Sequence, residues 1–285
     1  MAAIPSRVDR SALSYWESGR AGPVRPMAAP IVPAVEDIAF AEKTVLAAAR
    51  GRAPSALLLG LTRGLAAMRW PAGSSLVAVE WSAAMINRIW SIDGLSAASH
   101  VVRADWRELP LASASQDIVV GDGCYSVFAS LRDATLLNGE VRRVLRPGGL
   151  FCIRCFARPA RGLTIGGVFD ELRAGRIANV FLLQWLLAMA VHGTTRDGVI
   201  LDTVWRAWRD QVPRPRDLFA RHGWPENSDW TFDRWKGVRI RYSFPTAEEL
   251  GEIAAPLFDG VERHVPAYPW GECFPSMIMR AGPRR

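Results

Sequence analysis

The sequence predicts an α/β fold built around a doubly wound, mostly parallel sheet, and three observations support this prediction. From Ser55 onward, short apolar runs alternate with helical segments, which is the pattern of parallel strands joined by crossover helices. The first run leads into a glycine-containing turn that ends at Gly64, and the second ends in the carboxylate of Glu80. With 285 residues, 49% of them hydrophobic, the chain can bury one such core and an elaboration.

Four segments are predicted along the chain. Residues 1–54 would form an N-terminal lid, rich in Pro, Gly and Arg at its start and helical over 35–50. The segments that follow are a core at 55–161, a helical, Trp-rich cap at 162–237, and a C-terminal helix with the closing strands at 238–285. The cap is interpreted as an insertion over the carboxyl ends of the strands.

Five strands with their crossover helices are predicted in the core. The strands are expected at 56–59, 76–79, 100–104, 117–120 and 150–155. The helices are expected at 65–69, 83–90 and 131–145, and Pro147-Gly148-Gly149 is expected to end the last of them.

The C-terminal segment is predicted to complete the sheet. Thr246 followed by Glu249 has the spacing of a capping box and predicts a helix over 245–258. Residues 261–266 and 276–280 are then expected to pair as antiparallel strands.

The longest apolar stretch, residues 177–191, is predicted to be a buried helix of the cap. Asn179 and Gln184 interrupt it, and it is shorter than the ~20 residues that a bilayer span requires, so we expect no membrane association. The pattern does not decide between a helix that lines a substrate cavity and one that forms a dimer seam. A homodimer therefore stays open.

The formal charge of +7 does not by itself indicate a nucleic-acid-binding protein. Nearly all the basic residues are arginines, with Lys43 and Lys236 as the lysines, and no long basic run appears. An Arg-rich solvated surface is therefore favoured over a dedicated nucleic-acid groove.

The four cysteines predict a reducing, cytoplasmic setting, because no secretory signal pattern precedes them. Cys152 and Cys155 fall in an apolar run, where an odd separation along a strand directs side chains to opposite faces. Two small core residues are therefore favoured over a disulfide or a metal site.

Residues that can bind a ligand follow the ends of the predicted strands. The turn Gly60-Leu61-Thr62-Arg63-Gly64 lets backbone N–H groups approach an anionic ligand at a helix N-terminus. Glu80 has the spacing of a carboxylate that accepts hydrogen bonds from ribose hydroxyls. Asp105 beside Trp106 suits an adenine, which offers an exocyclic amine and a π face. Asp122-Gly123 adds a polar, backbone-permissive site at the end of the fourth strand.

This series, followed by Leu145-Arg146-Pro147-Gly148-Gly149, resembles the class I methyltransferases, most closely their small-molecule type. The resemblance covers residues 55–156 and the closing hairpin. It implies a Rossmann-like sheet of seven strands with an antiparallel last strand, and S-adenosylmethionine as the cofactor. The sequence departs from the family pattern at two positions: Leu58 stands where an acidic residue is common, and Thr62 replaces the middle glycine.

The resemblance also implies a role for each matching residue. It assigns Gly60, Thr62 and Gly64 to the methionine part of the cofactor, Glu80 to the ribose, Asp105 and Trp106 to the adenine, and Asp122 to the methionine amine. Trp81 and Gly123, next to Glu80 and Asp122, complete the set of residues expected to bind the cofactor.

The implied reaction is methyl transfer to an oxygen or nitrogen of a small, partly apolar molecule, which requires neither a metal nor a covalent nucleophile. For a hydroxyl acceptor, His192 after the apolar helix is the candidate general base. The aromatic residues predicted to line the acceptor pocket are Tyr15, Trp16, Tyr125 and Trp185.

Three alternatives stay open at this point. The basic charge suggests an RNA or protein methyltransferase, although Asp122-Gly123-Cys124-Tyr125 stands where many amino-group methylating relatives have Asn-Pro-Pro-Tyr. Leu58 and Thr62 suggest a non-catalytic S-adenosylmethionine-binding or scaffold protein. An NAD-dependent enzyme is disfavoured because the turn is G-x-x-x-G rather than G-x-G-x-x-G.

Overall fold

A computed structural model describes residues 10–18, 27–90, 99–193 and 198–283. Its strands are β1 (Ser55–Leu59), β2 (Ser75–Glu80), β3 (Ser99–Arg103), β4 (Gln116–Asp122), β5 (Leu145–Arg154), β6 (Val199–Ile200), β7 (Arg241–Tyr242), β8 (Gly260–His264) and β9 (Ser276–Arg280). Its α-helices are α1 (Arg10–Glu17), α2 (Val35–Ala49), α3 (Arg63–Ala66), α4 (Ala83–Ile89), α5 (Leu131–Val144), α6 (Ile165–Arg173), α7 (Val180–Val191), α8 (Leu201–Gln211), α9 (Pro215–His222), α10 (Trp230–Asp233) and α11 (Ala247–Ala254).

The main sheet has seven strands in the order β3-β2-β1-β4-β5-β9-β8. Neighbouring strands from β3 to β5 are parallel, whereas β9 runs antiparallel to both β5 and β8. This arrangement confirms the predicted Rossmann-like, doubly wound sheet with an antiparallel last strand. The strand order reverses between β1 and β4, and in such sheets ligands bind in the crevice at the carboxyl ends next to the reversal.

Alternate side chains of the central strands are buried on opposite faces of the sheet. Leu58 packs in a cluster with residues of α2, α3 and α4, and Leu57 packs in another with residues of α5 and α11. Cys152 lies in the first cluster and Cys155 in the second, as their odd separation predicts. All four cysteines are buried and free.

The start of β5 differs from the prediction. The sequence places the strand after Pro147-Gly148-Gly149, whereas β5 begins at Leu145, directly after α5. Gln116 pairs with Leu145 and Ile118 with Leu150, so the glycines lie in a bulge within the strand.

The cap contains helices α6 to α10, packed around an aromatic core. Trp208 stacks on Phe232 with ring centroids 4.1 Å apart and on Phe219 at 6.1 Å. Helix α7 is buried along most of its length, as predicted, and the Asn179 side chain accepts a hydrogen bond from Leu182 N at its start. Across the described ranges, none of the helices has the length and apolar character that a membrane span needs.

Helix α1 lies against α4, near the carboxyl end of β2. The Glu17 carboxylate accepts hydrogen bonds from Ala83 N at 2.8 Å and Ala84 N at 3.1 Å, and it pairs with Arg103 at 3.0 Å. Glu17 thereby satisfies N–H groups that have no acceptor within α4. This contact brings α1 to the ligand-binding edge of the sheet.

Candidate active site

A cavity of about 680 Å³ lies at the carboxyl ends of β1, β2 and β4, between the N-terminal segment and the cap. Its volume lies in the range of roughly 300–1,000 Å³ that is usual for small-molecule sites. The residues that line it on the sheet side include Gly60, Leu61, Thr62, Arg63, Gly64, Glu80, Trp106, Asp122 and Gly123. Those that line it on the other side include Tyr15, Trp16, Met27, Ile31, Phe156, Trp185, Arg234, Trp235 and Tyr242.

Glu80 ends β2 as a buried carboxylate on the wall of this cavity. One of its oxygens accepts a hydrogen bond from Ser82 N at 2.9 Å. Burial raises the pKa of Glu80 from 4.5 to about 7, against the opposing effect of the backbone N–H groups of Ser82 and Trp81. A carboxylate offers about four acceptor sites, so Glu80 keeps acceptor capacity for a ligand beside the N–H groups of Ser82 and Trp81.

Gly60 is required for the close packing at the end of β1. Its φ of 80° lies in the left-handed region, and a Cβ there would come within 3.3 Å of the Trp106 ring and 3.9 Å of a Glu80 oxygen. A Cβ on Gly64 would come within 2.7 Å of Ile38, so this glycine lets α2 approach the turn. Both glycines therefore shape the turn as well as line the cavity.

The residues assigned to the adenine lie at an adjoining cavity of about 250 Å³, lined by Trp81, Asp105, Trp106 and Phe128 among others. Trp106 lines both cavities, and its indole N–H donates to Val79 O at 2.6 Å. Both carboxylate oxygens of Asp105 already accept hydrogen bonds from Arg107.

Arg107 also pairs with Asp133 at 2.7 Å, so it bridges two carboxylates. Its pKa lies above its ordinary value, chiefly because of the hydrogen bonds to Asp105. An adenine amine would therefore share Asp105 with Arg107, a partner that the sequence pattern did not reveal.

Asp122 lies in a buried ionic network at the end of β4. It accepts hydrogen bonds from Arg154 Nε at 2.7 Å and Thr62 Oγ1 at 3.2 Å. Arg154 also contacts Asp37 of α2 at 3.4 Å and donates to the carbonyl of Pro30 at 2.6 Å. The hydroxyl of Thr62, a residue that the resemblance assigns to the methionine part of the cofactor, thus donates to Asp122.

Sequence reasoning missed Arg154 and Asp37. Burial opposes the charge of Arg154, yet Asp122 and Asp37 hold its pKa above the ordinary value, whereas burial raises the pKa of Asp37. An arginine that ends the apolar run Phe151-Cys152-Ile153 was the available signal, because a buried charge needs a partner.

Gly123 follows Asp122 with a φ of 67°. A Cβ there would lie 2.9 Å from the Phe156 ring, so the glycine lets this aromatic residue close against the strand end. Gly123 N also donates to Arg154 O at 2.9 Å, which continues the pairing of β4 and β5.

Three of the four aromatic residues predicted for the acceptor pocket, Tyr15, Trp16 and Trp185, line the cavity. Tyr125, the fourth, is not among the residues that line it. Its ring is buried in the core on the α5 side of the sheet, and its hydroxyl donates to Asn138 at 2.6 Å. Tyr125 therefore stabilises the attachment of α5 and has no hydroxyl to offer a substrate.

His192 does not line the cavity, and its ring nitrogens are occupied. Nε2 accepts a hydrogen bond from Phe244 N at 3.1 Å, which puts the ring proton on Nδ1, 3.2 Å from Gly193 O. The imidazole lies at the C-terminal end of α7 and ties it to the chain after β7. This geometry argues against His192 as a general base.

Comparison with known proteins agrees with the fold. Residues 57–153 match the family model of the methyltransferase domain. The N-methyltransferase NodS from Bradyrhizobium japonicum, solved with S-adenosyl-L-homocysteine, is 12% identical with a TM-score of 0.51, over 95% of this chain and 98% of that one.

A Rhodobacter sphaeroides structure named "Putative Zn-dependent Alcohol Dehydrogenases" is also 12% identical, with a TM-score of 0.56, over 98% of this chain and 100% of that one. Such identities report on the fold alone. A search of curated proteins finds no match. Within the described ranges, no group of three or more His, Cys, Asp or Glu side chains is arranged to hold a metal ion.

The matched segment runs from within β1 to within β5 and contains every residue that the resemblance assigns to the cofactor. A buried acceptor carboxylate at the end of β2 and a glycine turn at the end of β1, both on one cavity, fit an adenosyl cofactor. Residues 57–153 therefore form a methyltransferase domain on a Rossmann-like sheet, for which S-adenosylmethionine is the cofactor.

Proposed function

We propose that this methyltransferase transfers the methyl group to an oxygen or nitrogen of a small, partly apolar molecule. The observation that carries this proposal is the cavity itself, which joins the strand-end residues of the core to an aromatic wall made by the N-terminal helix and the cap. Enclosure on this scale suits a small acceptor better than a nucleic acid or a protein surface.

On the core side, Glu80 would accept hydrogen bonds from the ribose hydroxyls through the oxygen that faces the cavity. Gly60 and Gly64 leave room for the cofactor above the turn. Asp122 would face the methionine amine, with Arg154 holding its carboxylate in position. When bound, S-adenosylmethionine supplies an electrophilic methyl group on a sulfonium.

On the acceptor side, Tyr15, Trp16 and Trp185 would enclose the acceptor and exclude water from it. The protein's main task is then to hold the acceptor atom in line with the bond to be broken. Because His192 is occupied elsewhere, we infer that catalysis proceeds without this residue as a base. We propose that residues 1–54 contain the lid of this cavity and that residues 162–237 contain the cap that binds the acceptor.

The buried, unpaired state of all four cysteines supports a cytoplasmic location, where a reducing environment preserves thiols.

The proposal is tested by methyl transfer from labelled S-adenosylmethionine to pools of small molecules, with bulk RNA and protein assayed in parallel. We expect label in the small-molecule fraction and none with Glu80→Ala. Transfer only to RNA or to protein would refute the small-molecule assignment.

A further inference from the structure

Among the described residues of the cap, Arg234 is the charged side chain that lines the cavity, and it follows α10. Its guanidinium carries five N–H donors, and the one hydrogen bond it makes within the described residues runs from Nη2 to Gln184 Oε1 at 3.0 Å. No carboxylate of those residues lies within the 4.0 Å of an ion pair. The charge of Arg234 is therefore not neutralised by the described part of the protein.

The surroundings of Arg234 are apolar and aromatic. Its guanidinium lies over the rings of Trp230 and Trp235, 5.7 Å from each ring centroid. Burial lowers the pKa of Arg234 below its ordinary value, and it raises the pKa of Tyr242 on the same wall well above its own. A cation in this setting lacks the solvation that a surface arginine retains.

Gln184 holds the guanidinium in place. It is the polar residue in the otherwise apolar face of α7, it is fully buried, and its amide donates to Thr231 O at 2.5 Å. With its amide nitrogen fixed in this way, its oxygen is directed to Arg234. A buried glutamine that positions an arginine on a cavity wall is typical of a prepared binding group.

The same wall has unsatisfied donors rather than unsatisfied acceptors. Arg234 Nε, Trp16 Nε1 and Trp185 Nε1 have no hydrogen-bond partner among the described residues, and these buried nitrogen atoms lie behind the surface that their residues present to the cavity. Their N–H dipoles add positive potential to this wall, which favours a ligand with oxygen acceptors over one with further donors.

From these contacts we infer that the methyl acceptor carries an oxyanion, in the simplest case a carboxylate, that pairs with Arg234. A guanidinium binds planar oxyanions through two parallel hydrogen bonds. The inference rests on the proposed function and specifies its substrate class: an aromatic or apolar body against Trp185 and Trp235, with an acidic group at the cap end of the cavity.

The test uses matched probes on protein loaded with S-adenosyl-L-homocysteine. Binding of benzoate, 4-hydroxybenzoate, indole-3-acetate and 1-naphthoate is compared by calorimetry with binding of the corresponding amides. We expect at least one acid to bind at least about tenfold more tightly than its amide, consistent with a charge-assisted hydrogen bond. Arg234→Met should abolish that preference, and Arg234→Lys should restore part of it.

Arg209→Met is the control, because it removes an exposed arginine from the same cap. It should leave the acid preference unchanged. The inference is overturned if no acid binds better than its amide, or if the preference survives Arg234→Met.

It is also overturned if Arg234→Met and Arg234→Lys weaken S-adenosyl-L-homocysteine binding, because Arg234 would then serve the cofactor. Failure of the wild-type protein to bind S-adenosyl-L-homocysteine at all would instead refute the proposed function.

Discussion

The side chains of the sheet core and those of the cap are buried in different ways. In the core, consecutive residues such as Leu57 and Leu58 alternate between two faces, so the sequence period determines what each side chain contacts. In the cap, Trp208 is buried by stacking on Phe219 and Phe232, which come from separate helices. The positions of the cofactor residues at strand ends can therefore be predicted from the local sequence pattern. The positions of the acceptor residues depend on how the cap helices pack against one another.

The first prediction concerns the ionic network that ties the core to the N-terminal segment. Arg154→Met leaves Asp37 and Asp122 buried without their cation, which should cost about 3–5 kcal/mol of unfolding free energy. Urea unfolding followed by circular dichroism measures this loss. Affinity for S-adenosyl-L-homocysteine should fall as well. A variant as stable as the wild type would show that the network contributes little.

A matched change in the cap should separate stability from cofactor binding. Trp208→Ala removes a fully buried ring and should also cost about 3–5 kcal/mol. Under conditions where the variant remains folded, its affinity for S-adenosyl-L-homocysteine should match that of the wild type, because Trp208 does not line the cavity. A loss of affinity would mean that the cap and the cofactor site are one unit.

Glycine substitutions sharpen the comparison at single positions. Gly60→Ala places a Cβ at a φ of 80° and 3.3 Å from the Trp106 ring, which should cost about 1–3 kcal/mol. Gly139→Ala is the control, since Gly139 lies within α5 with no atom near its missing Cβ, and it should stabilise the protein by about 0.5–1 kcal/mol. Thermal unfolding measures the change in stability of each variant, which should be a loss for Gly60→Ala and a gain for Gly139→Ala. Equal changes would contradict the claim that the turn requires glycine at position 60.

A further prediction concerns the ionisation of Glu80, the carboxylate at the end of β2. Its pKa of about 7 lies above the ordinary 4.5, so the folded protein holds a proton that the unfolded chain releases. Stability of the ligand-free protein should therefore decline as the pH rises from about 4.5 to 7. Ribose hydroxyls favour the ionised carboxylate, so binding of S-adenosyl-L-homocysteine should be about tenfold weaker at pH 6 than at pH 8.

Glu80→Gln should remove both pH dependences, because the amide does not titrate in this range. Calorimetry at several pH values measures the binding profile, and urea unfolding measures the stability profile. A profile in Glu80→Gln as steep as that of the wild type would assign the titration to another group.

Much of the fold could be predicted because strand periodicity and the capping box of Thr246 and Glu249 are local signals, and both are confirmed. The positions of Tyr125 and His192 could not be predicted, because each side chain is fixed by a hydrogen bond to a residue of another element, Asn138 of α5 and Phe244 after β7. Arg234 was missed for the same reason: only packing of α7 beside α10 brings Gln184 to it.

The central claim is that the cavity at the end of β2 binds the cofactor through Glu80, and titration calorimetry with S-adenosyl-L-homocysteine tests it most directly. Wild-type protein should bind with a dissociation constant in the micromolar range, Glu80→Ala should bind at least about tenfold more weakly, and NAD should give no heat above dilution. Equal affinity of the wild type and Glu80→Ala, or no binding by the wild type, would contradict the account.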